Sequence, residues 1–252
     1  MNAPSAPVDS FEVAPYTRND LLFHVTGGIL CGLVILVAIV WLFVTWRAQP
    51  PVWFVIPVAF FVGVYAADFV SGLLHWAFDT WFDENITFIR RMVIMVREHH
   101  VYPNRIFQYS FYHDAGTLSW IALSIAGGPV LWMICMADPR SMLASFTILA
   151  CLVFSLLLVF MLEFHKRGHS RQAPEWIRLL QRTGFVLSFH HHMQHHSRHY
   201  DHNYCLINGW ADRTLGRLGV FRGLEWLINW LTGATPRRND RDWSRRFGQK
   251  GV

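Results

Sequence analysis

The residues with the clearest capacity for chemistry are the histidines of FHHHMQHHSRHYDHNYC, which runs from Phe189 to Cys205. Seven of the thirteen residues from His190 to His202 are histidine. The run is internal and interrupted, and aromatic residues surround it, so it is not a purification tag. A loose histidine-rich tract can bind metal on its own. Whether these histidines have partners elsewhere in the chain therefore decides what they do.

Several candidates occur at spacings that bring their side chains onto one face of a helix. The spacing is i, i+4 for His75 and Asp79 and for His165 and His169, and it is i, i+3, i+4 for His192, His195 and His196. Residues three or four positions apart have Cβ atoms roughly 5–6 Å apart, which is close enough to share or bridge metal ions. The adjacent residues His99 and His100 point about 100° apart on a helix and so suit two different ions. The predicted metal ligands are His75, Asp79, His99, His100, His165, His169, His192, His195 and His196.

The number of candidate ligands indicates two metal ions rather than one. A structural zinc takes four ligands and often recruits cysteine, whereas the four cysteines of this chain are scattered and form no CxxC pair. Imidazole suits zinc, copper, iron and nickel, and pairs of iron suit dioxygen activation because neutral ligands let the metals cycle oxidation state. The sequence contains no GxGxxG, P-loop or GxSxG motif. Electrons would therefore come from a separate carrier protein, and an acyl hydrolase is disfavoured.

Composition predicts an all-α membrane protein with four transmembrane helices. The chain is 53% hydrophobic and only 15% charged, and it contains four apolar segments of roughly 20 residues, the length that crosses a ~30 Å hydrocarbon core. The predicted spans are residues 25–46, 52–74, 117–136 and 142–162. Residues 1–20, without signal-peptide features, are expected to form a disordered tail. Residues 21–252 are expected to form a single integral-membrane domain.

The distribution of basic residues predicts the orientation of these spans. Of the 22 lysines and arginines, only Arg47 and Arg140 lie in the short links 47–51 and 137–141. The side of the membrane opposite these two links carries the other basic residues, both termini and the histidines, and it should be cytoplasmic. In a bacterium the membrane would be the inner membrane. The net charge of +5 then fits a membrane-facing surface rather than a nucleic-acid footprint. The segment FRGLEWLINWLTG predicts a helix that lies in the membrane interface or packs on the cytoplasmic cap.

Several stretches of the chain resemble, in order and spacing, the plasmanylethanolamine desaturases, the family of the Kua and CarF proteins. They are ADFVSGLLHWAFDTW, REHHVYPNRI, HKRGHS, HHMQHH and NGWADRTLGRLGVFRGLEWLINWLTGATPR, within residues 61–243. The resemblance implies a non-haem diiron, O2-dependent oxidoreductase that introduces the vinyl ether double bond of a plasmalogen into an O-alkyl ether phospholipid. It implies electrons from a cytochrome b5 or ferredoxin-like donor. It also implies that the nine predicted ligands hold two iron ions in a cytoplasmic histidine-rich cap.

The sequence departs from the general HxxxH, HxxHH, HxxHH desaturase pattern. Its first box ends in Asp79, and its second is only Glu98-His99-His100. Asp68 lies mid-membrane, where a carboxylate has a function or a partner, and it is expected to fix a ligand imidazole or a neighbouring helix. Further candidates for such support are Glu98, His191 and Asp201. Surface or supporting positions are expected for His113, His199 and His202, which lack family counterparts.

Two other functions fit the same residues. A fatty-acyl lipid desaturase or a hydroxylase would use the same scaffold, because the ligands alone do not fix which carbon reacts. A membrane metal-binding or transport protein would keep ionisable residues along a path near the midplane, whereas here only Asp68 is predicted to lie deep. A bound, non-exchanging pair of irons would favour the enzyme over the transporter.

Overall fold

The computed structural model describes residues 16–86, 89–197 and 200–237, without the side chain of residue 114. Within these ranges the structure contains no β-strand, which confirms the predicted all-α class. A 3-10 turn, Pro103–Gln108, follows the third helix, and π-helical turns occur at Leu123–Gly127 and Asp212–Gly216. The helices are α1 (Arg18–Ala48), α2 (Val55–Thr80), α3 (Arg90–Val101), α4 (Phe111–Ala122), α5 (Gly128–Met136), α6 (Met142–Val159), α7 (Met161–His169), α8 (Glu175–Arg182), α9 (Phe189–His196) and α10 (Val220–Thr232).

Four helical segments are long and apolar enough to cross a membrane, as the sequence predicted. They are α1, α2, α6 and the continuous 26-residue segment that joins α4 to α5. α1 begins at Arg18, so residues 18–20 of the predicted disordered tail are helical, while residues 1–15 lie outside the described residues. α2 continues to Thr80, so His75 and Asp79 lie in its last turns. The chain is a multi-pass membrane protein.

The spans pack side by side through close backbone approach and present apolar side chains outward. α2 packs along α6, where a Cβ at Gly63 would lie only 2.6 Å from the Ala150 carbonyl oxygen. Leu33, Leu36 and Val40 on the outside of α1 are each more than half exposed. A contiguous exposed apolar surface of this kind marks a membrane-contacting face.

The elements that carry the histidines gather where α2 ends and α6 passes into α7. α9 begins after Ser188, whose hydroxyl accepts a hydrogen bond from the backbone N–H of His191 at 3.2 Å. α7 lies against the segment before α9 because residue 168 is glycine, where a Cβ would lie 2.8 Å from Leu187 Cδ2. The loop over residues 200–211 completes this end of the bundle by bonding to α2.

α10 packs one face on α2 and leaves another exposed. Phe221 joins Trp76 in an apolar cluster, and Trp76 Nε1 donates to Glu225 Oε1 at 3.3 Å. On the other face, Trp226 and Trp230 are 66% and 68% exposed. The helix thus combines packing on its neighbours with an exposed tryptophan face of the kind found at membrane interfaces.

Candidate metal centre

The nine predicted ligands lie in two groups at one end of the helical bundle. α2 contributes a pair to one group, α7 contributes a pair to the other, and α3 and α9 contribute to both. Within each group, one ligand-type atom from every residue lies within 4.8 Å of the others. They are the five-histidine group, comprising His99, His165, His169, His192 and His196, and the carboxylate group, comprising His75, Asp79, His100 and His195.

Imidazole Nε2 atoms converge at the centre of the five-histidine group. Nε2 of His192 lies 2.9 Å from Nε2 of both His165 and His169, and those two atoms are 3.2 Å apart. Nε2 of His196 lies 3.1 Å from that of His192. Nδ1 of His99 donates to a backbone carbonyl one turn earlier on α3, at 3.2 Å, and so turns its Nε2 inward. The i, i+4 spacings within α7 and α9 put these rings on facing helix surfaces.

In the carboxylate group, the side chain of Asp79 faces three imidazoles. Its Oδ2 lies 3.6 Å from His75 Nε2 and 3.5 Å from His195 Nε2. Its Oδ1 lies 3.5 Å from His100 Nε2, and the Nε2 atoms of His100 and His195 are 3.2 Å apart. All four side chains are buried. This group therefore combines neutral donors with one carboxylate.

The structure divides the three histidines of α9 between the two groups, although their spacing suggested a single face. His192 and His196 point into the five-histidine group, and His195 points into the carboxylate group. Adjacent residues on a helix differ by about 100° in direction, so α9 lies along the boundary between the groups. α3 does the same with His99 and His100, the division that the sequence suggested for that pair.

Burial lowers the pKa of the candidate ligand imidazoles on α3, α7 and α9. It lowers the pKa of His169 to about 3, with a smaller contribution from His75. Loss of hydration is the largest cause in every case, because a charged imidazolium is disfavoured away from water. The neutral ring is also the form that binds metal. Burial lowers the pKa well below the usual 6.5 at His99, His100, His165, His192, His195 and His196.

The donor atoms of both groups fit bound cations. Within the described residues, the buried Nε2 atoms of His75 and His99 have no hydrogen-bond partner. Both rings donate through Nδ1 to a backbone carbonyl, so in the neutral ring Nε2 carries a lone pair and no proton. Lone pairs that converge without protons between them repel one another, and a metal ion would satisfy them together. Nitrogen donors of this kind suit a transition metal.

Backbone carbonyls orient two rings of the carboxylate group. His75 Nδ1 donates to the carbonyl oxygen of Tyr204 at 2.9 Å, and His195 Nδ1 donates to that of His202 at 2.8 Å. A hydrogen bond at one ring nitrogen fixes the tautomer and the direction of the other. The loop after α9 therefore aims both Nε2 atoms toward Asp79.

The same loop has an unusual backbone. Tyr200 and Asn203 have φ values of 54° and 57°, the left-handed region that non-glycine residues seldom occupy. The Tyr200 ring stacks on His100 with ring centroids 4.2 Å apart, and its hydroxyl donates to the His100 carbonyl at 3.2 Å. These contacts hold the loop in a conformation that its backbone alone would not prefer.

Asp68 anchors the next part of the loop. It is fully buried, and its carboxylate accepts hydrogen bonds of 2.9–3.2 Å from backbone N–H groups. The sequence suggested that Asp68 fixes an imidazole or a neighbouring helix, and the structure instead shows it bound to the loop that includes Tyr204. Asp68 thereby supports His75 through the loop rather than by contact. Its donors are Ile207, Asn208, Gly209 and Ala211.

Two other supporting candidates point away from the ligands. Glu98 pairs with Arg105 and accepts a hydrogen bond from the Tyr109 hydroxyl at 2.8 Å, which fastens the end of α3 to the following turn. The Nε2 atom of His191 lies 2.9 Å from the Oδ2 atom of Asp212. Both residues position backbone elements rather than ligand rings.

The remaining polar candidates lie outside the two groups. Asp201 Oδ1 lies 2.9 Å from His202 Nδ1, and both side chains are partly exposed. His113 stacks on Tyr16, with ring centroids 3.7 Å apart, beside α1. His199 lies outside the described residues.

Three residues that shape the site could not be recognised from the sequence. Tyr204 and Tyr200 are described above, and Asp212 accepts hydrogen bonds from the backbone N–H of Cys205 at 3.1 Å and contacts His191. Backbone carbonyls orient the rings, and any residue type can supply a carbonyl. A fourth residue of this loop, Asn203, is of a type that tolerates the left-handed region better than most residues.

Four spans with two buried ligand groups at one end define a multi-pass membrane protein with a candidate two-metal centre. Residues 64–239 match the lipid desaturase domain. The chain therefore belongs to the lipid desaturase domain family, which confirms the resemblance noted in the sequence.

Curated relatives extend this comparison. The chain is 34% identical over 191 residues to plasmanylethanolamine desaturase of Myxococcus xanthus, covering 72% of this chain and 63% of that protein. It is 32% identical over 191 residues to plasmanylethanolamine desaturase 1 of Mus musculus, covering 73% and 69%. It is 28% identical over 179 residues to fatty acid desaturase 4, chloroplastic, of Arabidopsis thaliana, covering 70% and 53%. The matched region is thus less than two thirds of the Myxococcus relative, and no solved structure matches the chain.

Proposed function

We propose that this protein is a membrane diiron, O2-dependent desaturase that introduces the 1′-alkenyl double bond into an O-alkyl ether phospholipid and so makes a plasmalogen. The observation that carries the proposal is the meeting of nine ligand-type residues, eight of them buried and His196 partly buried, in two groups within a chain of the lipid desaturase family. The names of the Myxococcus and mouse relatives support the ether-lipid substrate.

The donor set favours a redox metal over a structural one. A structural zinc site is closed by four ligands and commonly includes cysteine, whereas these groups offer eight imidazoles and one carboxylate. Two iron ions held by His75, Asp79, His99, His100, His165, His169, His192, His195 and His196 would supply the chemistry that activates dioxygen.

The protein's own contribution is to hold donors in place and exclude water. The lowered pKa of the imidazoles on α3, α7 and α9 favours the neutral ring, which is the form that binds metal. Tyr204 and His202 fix ring directions through their carbonyls. Fixed donors in a dry site reduce the reorganisation that a reaction requires.

The proposed reaction balances with one external reductant. One hydrogen leaves each of C1′ and C2′ of the alkyl chain, and a carbon–carbon double bond forms. Dioxygen takes these hydrogens together with two electrons and two protons, giving two water molecules. The electrons come from a cytochrome b5 or ferredoxin-like donor, and the phospholipid comes from the surrounding membrane.

The proposal includes an orientation. The concentration of lysine and arginine outside the short links 47–51 and 137–141 supports cytoplasmic termini and a cytoplasmic ligand end. An electron carrier would then reach the ligand groups from the cytoplasm. Cysteine labelling at engineered sites tests this arrangement, and labelling of residues 81–110 from the outside would contradict it.

The activity is tested by lipid analysis of membranes with and without the protein. Membranes supplied with reductant, oxygen and an O-alkyl phospholipid should form an acid-labile vinyl ether. A matched His165→Ala protein should form none. Absence of the vinyl ether with the unaltered protein, under conditions where iron is bound, would refute the proposed substrate.

A second candidate function is desaturation of a fatty-acyl chain, which the similarity to the chloroplast desaturase favours. The same assay separates the two. An acyl desaturase would give an acid-stable double bond in an ester-linked chain, and a hydroxylase would give a product heavier by one oxygen atom.

A further inference from the structure

A cavity of about 350 Å³ lies between the loop after α9 and the beginning of α10. Tyr204 and Asp212 form its inner wall, and Phe221 lies at the start of α10. Arg217 and Arg222 also line it, and both are exposed. The cavity contains none of the nine candidate ligands, so it is a separate feature of the molecule.

Two carboxylates and two guanidinium groups line this cavity, and they differ in their partners. Asp212 lies 2.9 Å from His191 and accepts a backbone hydrogen bond, and Asp201 lies 2.9 Å from His202. Over the residues that the structure describes, neither the Arg217 nor the Arg222 guanidinium forms an ion pair or a side-chain hydrogen bond. Two cationic groups therefore face a cavity whose carboxylates already have partners. A bound anion would complete it.

The inner wall of the cavity is shared with the carboxylate group. The Tyr204 ring centroid lies 5.4 Å from that of His195 and 6.1 Å from that of His75. The backbone carbonyl of Tyr204 accepts from His75 at 2.9 Å. One aromatic ring therefore separates the cavity from the candidate metal ligands.

The outer edge of the cavity continues into the exposed face of α10. Arg222, Trp226 and Trp230 are spaced four residues apart, so they lie along one face of the helix. The two indoles are exposed and stacked, with ring centroids 6.1 Å apart. Exposed tryptophans of this kind lie at the headgroup level of a bilayer. Arg222 then lies at the depth where phosphodiester groups occur.

We propose that this cavity binds the phosphodiester of a membrane phospholipid through Arg217 and Arg222. The inference rests on the proposed function, because it places that substrate's headgroup next to the carboxylate group. In an ether phospholipid only a handful of covalent bonds separate the phosphate from the alkyl carbons next to the ether oxygen. A phosphate site one ring away from the ligands suits reaction at those carbons, whereas reaction midway along an acyl chain would need the headgroup much farther away.

Binding to the metal-loaded protein tests the site independently of turnover. Native mass spectrometry would compare retention of an O-alkyl phosphatidylethanolamine with that of the 1-O-alkyl-2-acylglycerol that lacks phosphate. Arg217→Gln with Arg222→Gln should weaken phospholipid retention about tenfold or more, the size expected for lost charge-assisted hydrogen bonds, and leave the alkylacylglycerol unchanged. Arg182→Gln, which removes an exposed guanidinium at the end of α8, is the matched control and should change neither.

Several results would overturn the site. Equal loss of both lipids would show a general packing defect, and unchanged phospholipid retention would show that the arginines do not bind it. Inorganic phosphate retained as tightly as the phospholipid would indicate a soluble anion site. An increased requirement for the electron donor, with lipid binding unchanged, would indicate a docking surface for an acidic carrier.

Two further measurements keep the inference separate from folding and from the proposed activity. Arg217→Lys with Arg222→Lys preserves charge, and it should retain most of the phospholipid binding even where the glutamine variant folds poorly. If the wild-type protein retained the phospholipid through these arginines but formed no vinyl ether, the proposed function would fail and the phosphodiester site would stand.

Discussion

The five-histidine group and the carboxylate group are built on two shared helices, α3 and α9, but differ in what holds their rings. In the five-histidine group, the rings come from i, i+4 pairs on α7 and α9 and from α3. In the carboxylate group, two of the three rings bond to carbonyls of the loop after α9. Regular helices alone therefore place one group, whereas the other also depends on an irregular loop.

The two groups also differ in charge. The five-histidine group offers neutral donors, while Asp79 adds a negative charge to the other. A cation in the carboxylate group would be partly neutralised by its ligands, and one in the five-histidine group would not. Two identical ions bound in these places should therefore be chemically inequivalent.

The largest expected effect comes from removing one ring from either group. His165→Ala and His195→Ala should each abolish desaturation while the protein remains inserted at near-normal abundance, because apolar length rather than metal inserts the spans. Conversion of an O-alkyl phospholipid to its vinyl ether measures the loss. His202→Ala is the control, since it keeps the backbone carbonyl that His195 uses. Wild-type turnover with His195→Ala, or lost turnover with His202→Ala, would overturn the assignment of ligands.

Asp79→Asn should lower metal binding in the carboxylate group without lowering it in the five-histidine group. It removes the negative charge that lies 3.5–3.6 Å from three imidazoles. We expect the variant to keep the metal ion of the five-histidine group and to lose most of the metal bound in the carboxylate group. The metal content should then fall from two ions per chain toward one, and turnover should be lost. Elemental analysis of the purified protein measures this. Loss of both ions would show that the groups do not bind independently.

Asp68→Asn should weaken only the group that the loop supports. An amide in place of the carboxylate loses charge-assisted hydrogen bonds to the loop backbone, at a cost of about 1–3 kcal/mol in stability. Turnover should fall about 10–100-fold, as for outer groups that orient metal ligands, and remain measurable. Assays of turnover and thermal unfolding test this. A complete loss of turnover would place Asp68 among the ligands.

Acid should destabilise the metal-free protein through its buried histidines. Their pKa values are lowered in the fold, to about 3 for His169, and lie near 6.5 in the unfolded chain. Below that value the unfolded chain binds more protons, so stability present above pH 6.5 is lost as pH falls toward the folded pKa. Thermal unfolding against pH should show this decline with a shallower slope in His169→Ala. Equal slopes would contradict a neutral His169.

The smallest effect is expected at Asp201. It contacts the partly exposed ring of His202 rather than a ligand ring, and exposed ion pairs contribute little. Asp201→Asn should retain turnover within about twofold of wild type, measured in the same assay as Asp68→Asn. A loss as large as that of Asp68→Asn would show that Asp201 also orients the loop.

The parts of the site built by regular helices could be predicted from the sequence, whereas the parts that depend on the loop after α9 could not. Apolar length predicted the four spans, and i, i+4 spacing paired four of the five histidines of the five-histidine group, while His99 was a candidate only through its neighbour His100. The division of His192 and His195 between the two groups could not be foreseen, because it depends on where α9 lies. The role of Asp68 also depends on the loop conformation, and the carbonyls of Tyr204 and His202 carry no signature of residue type.

The central claim is that the chain holds two iron ions in two different sets of ligands. Mössbauer spectroscopy of protein grown on an isotopically enriched iron source, combined with elemental analysis, tests it most directly. The account predicts two irons per chain and two signals of equal area, one for the five-histidine group and one for the carboxylate group. One zinc per chain with no iron, or a single iron signal from one ion per chain, would contradict it.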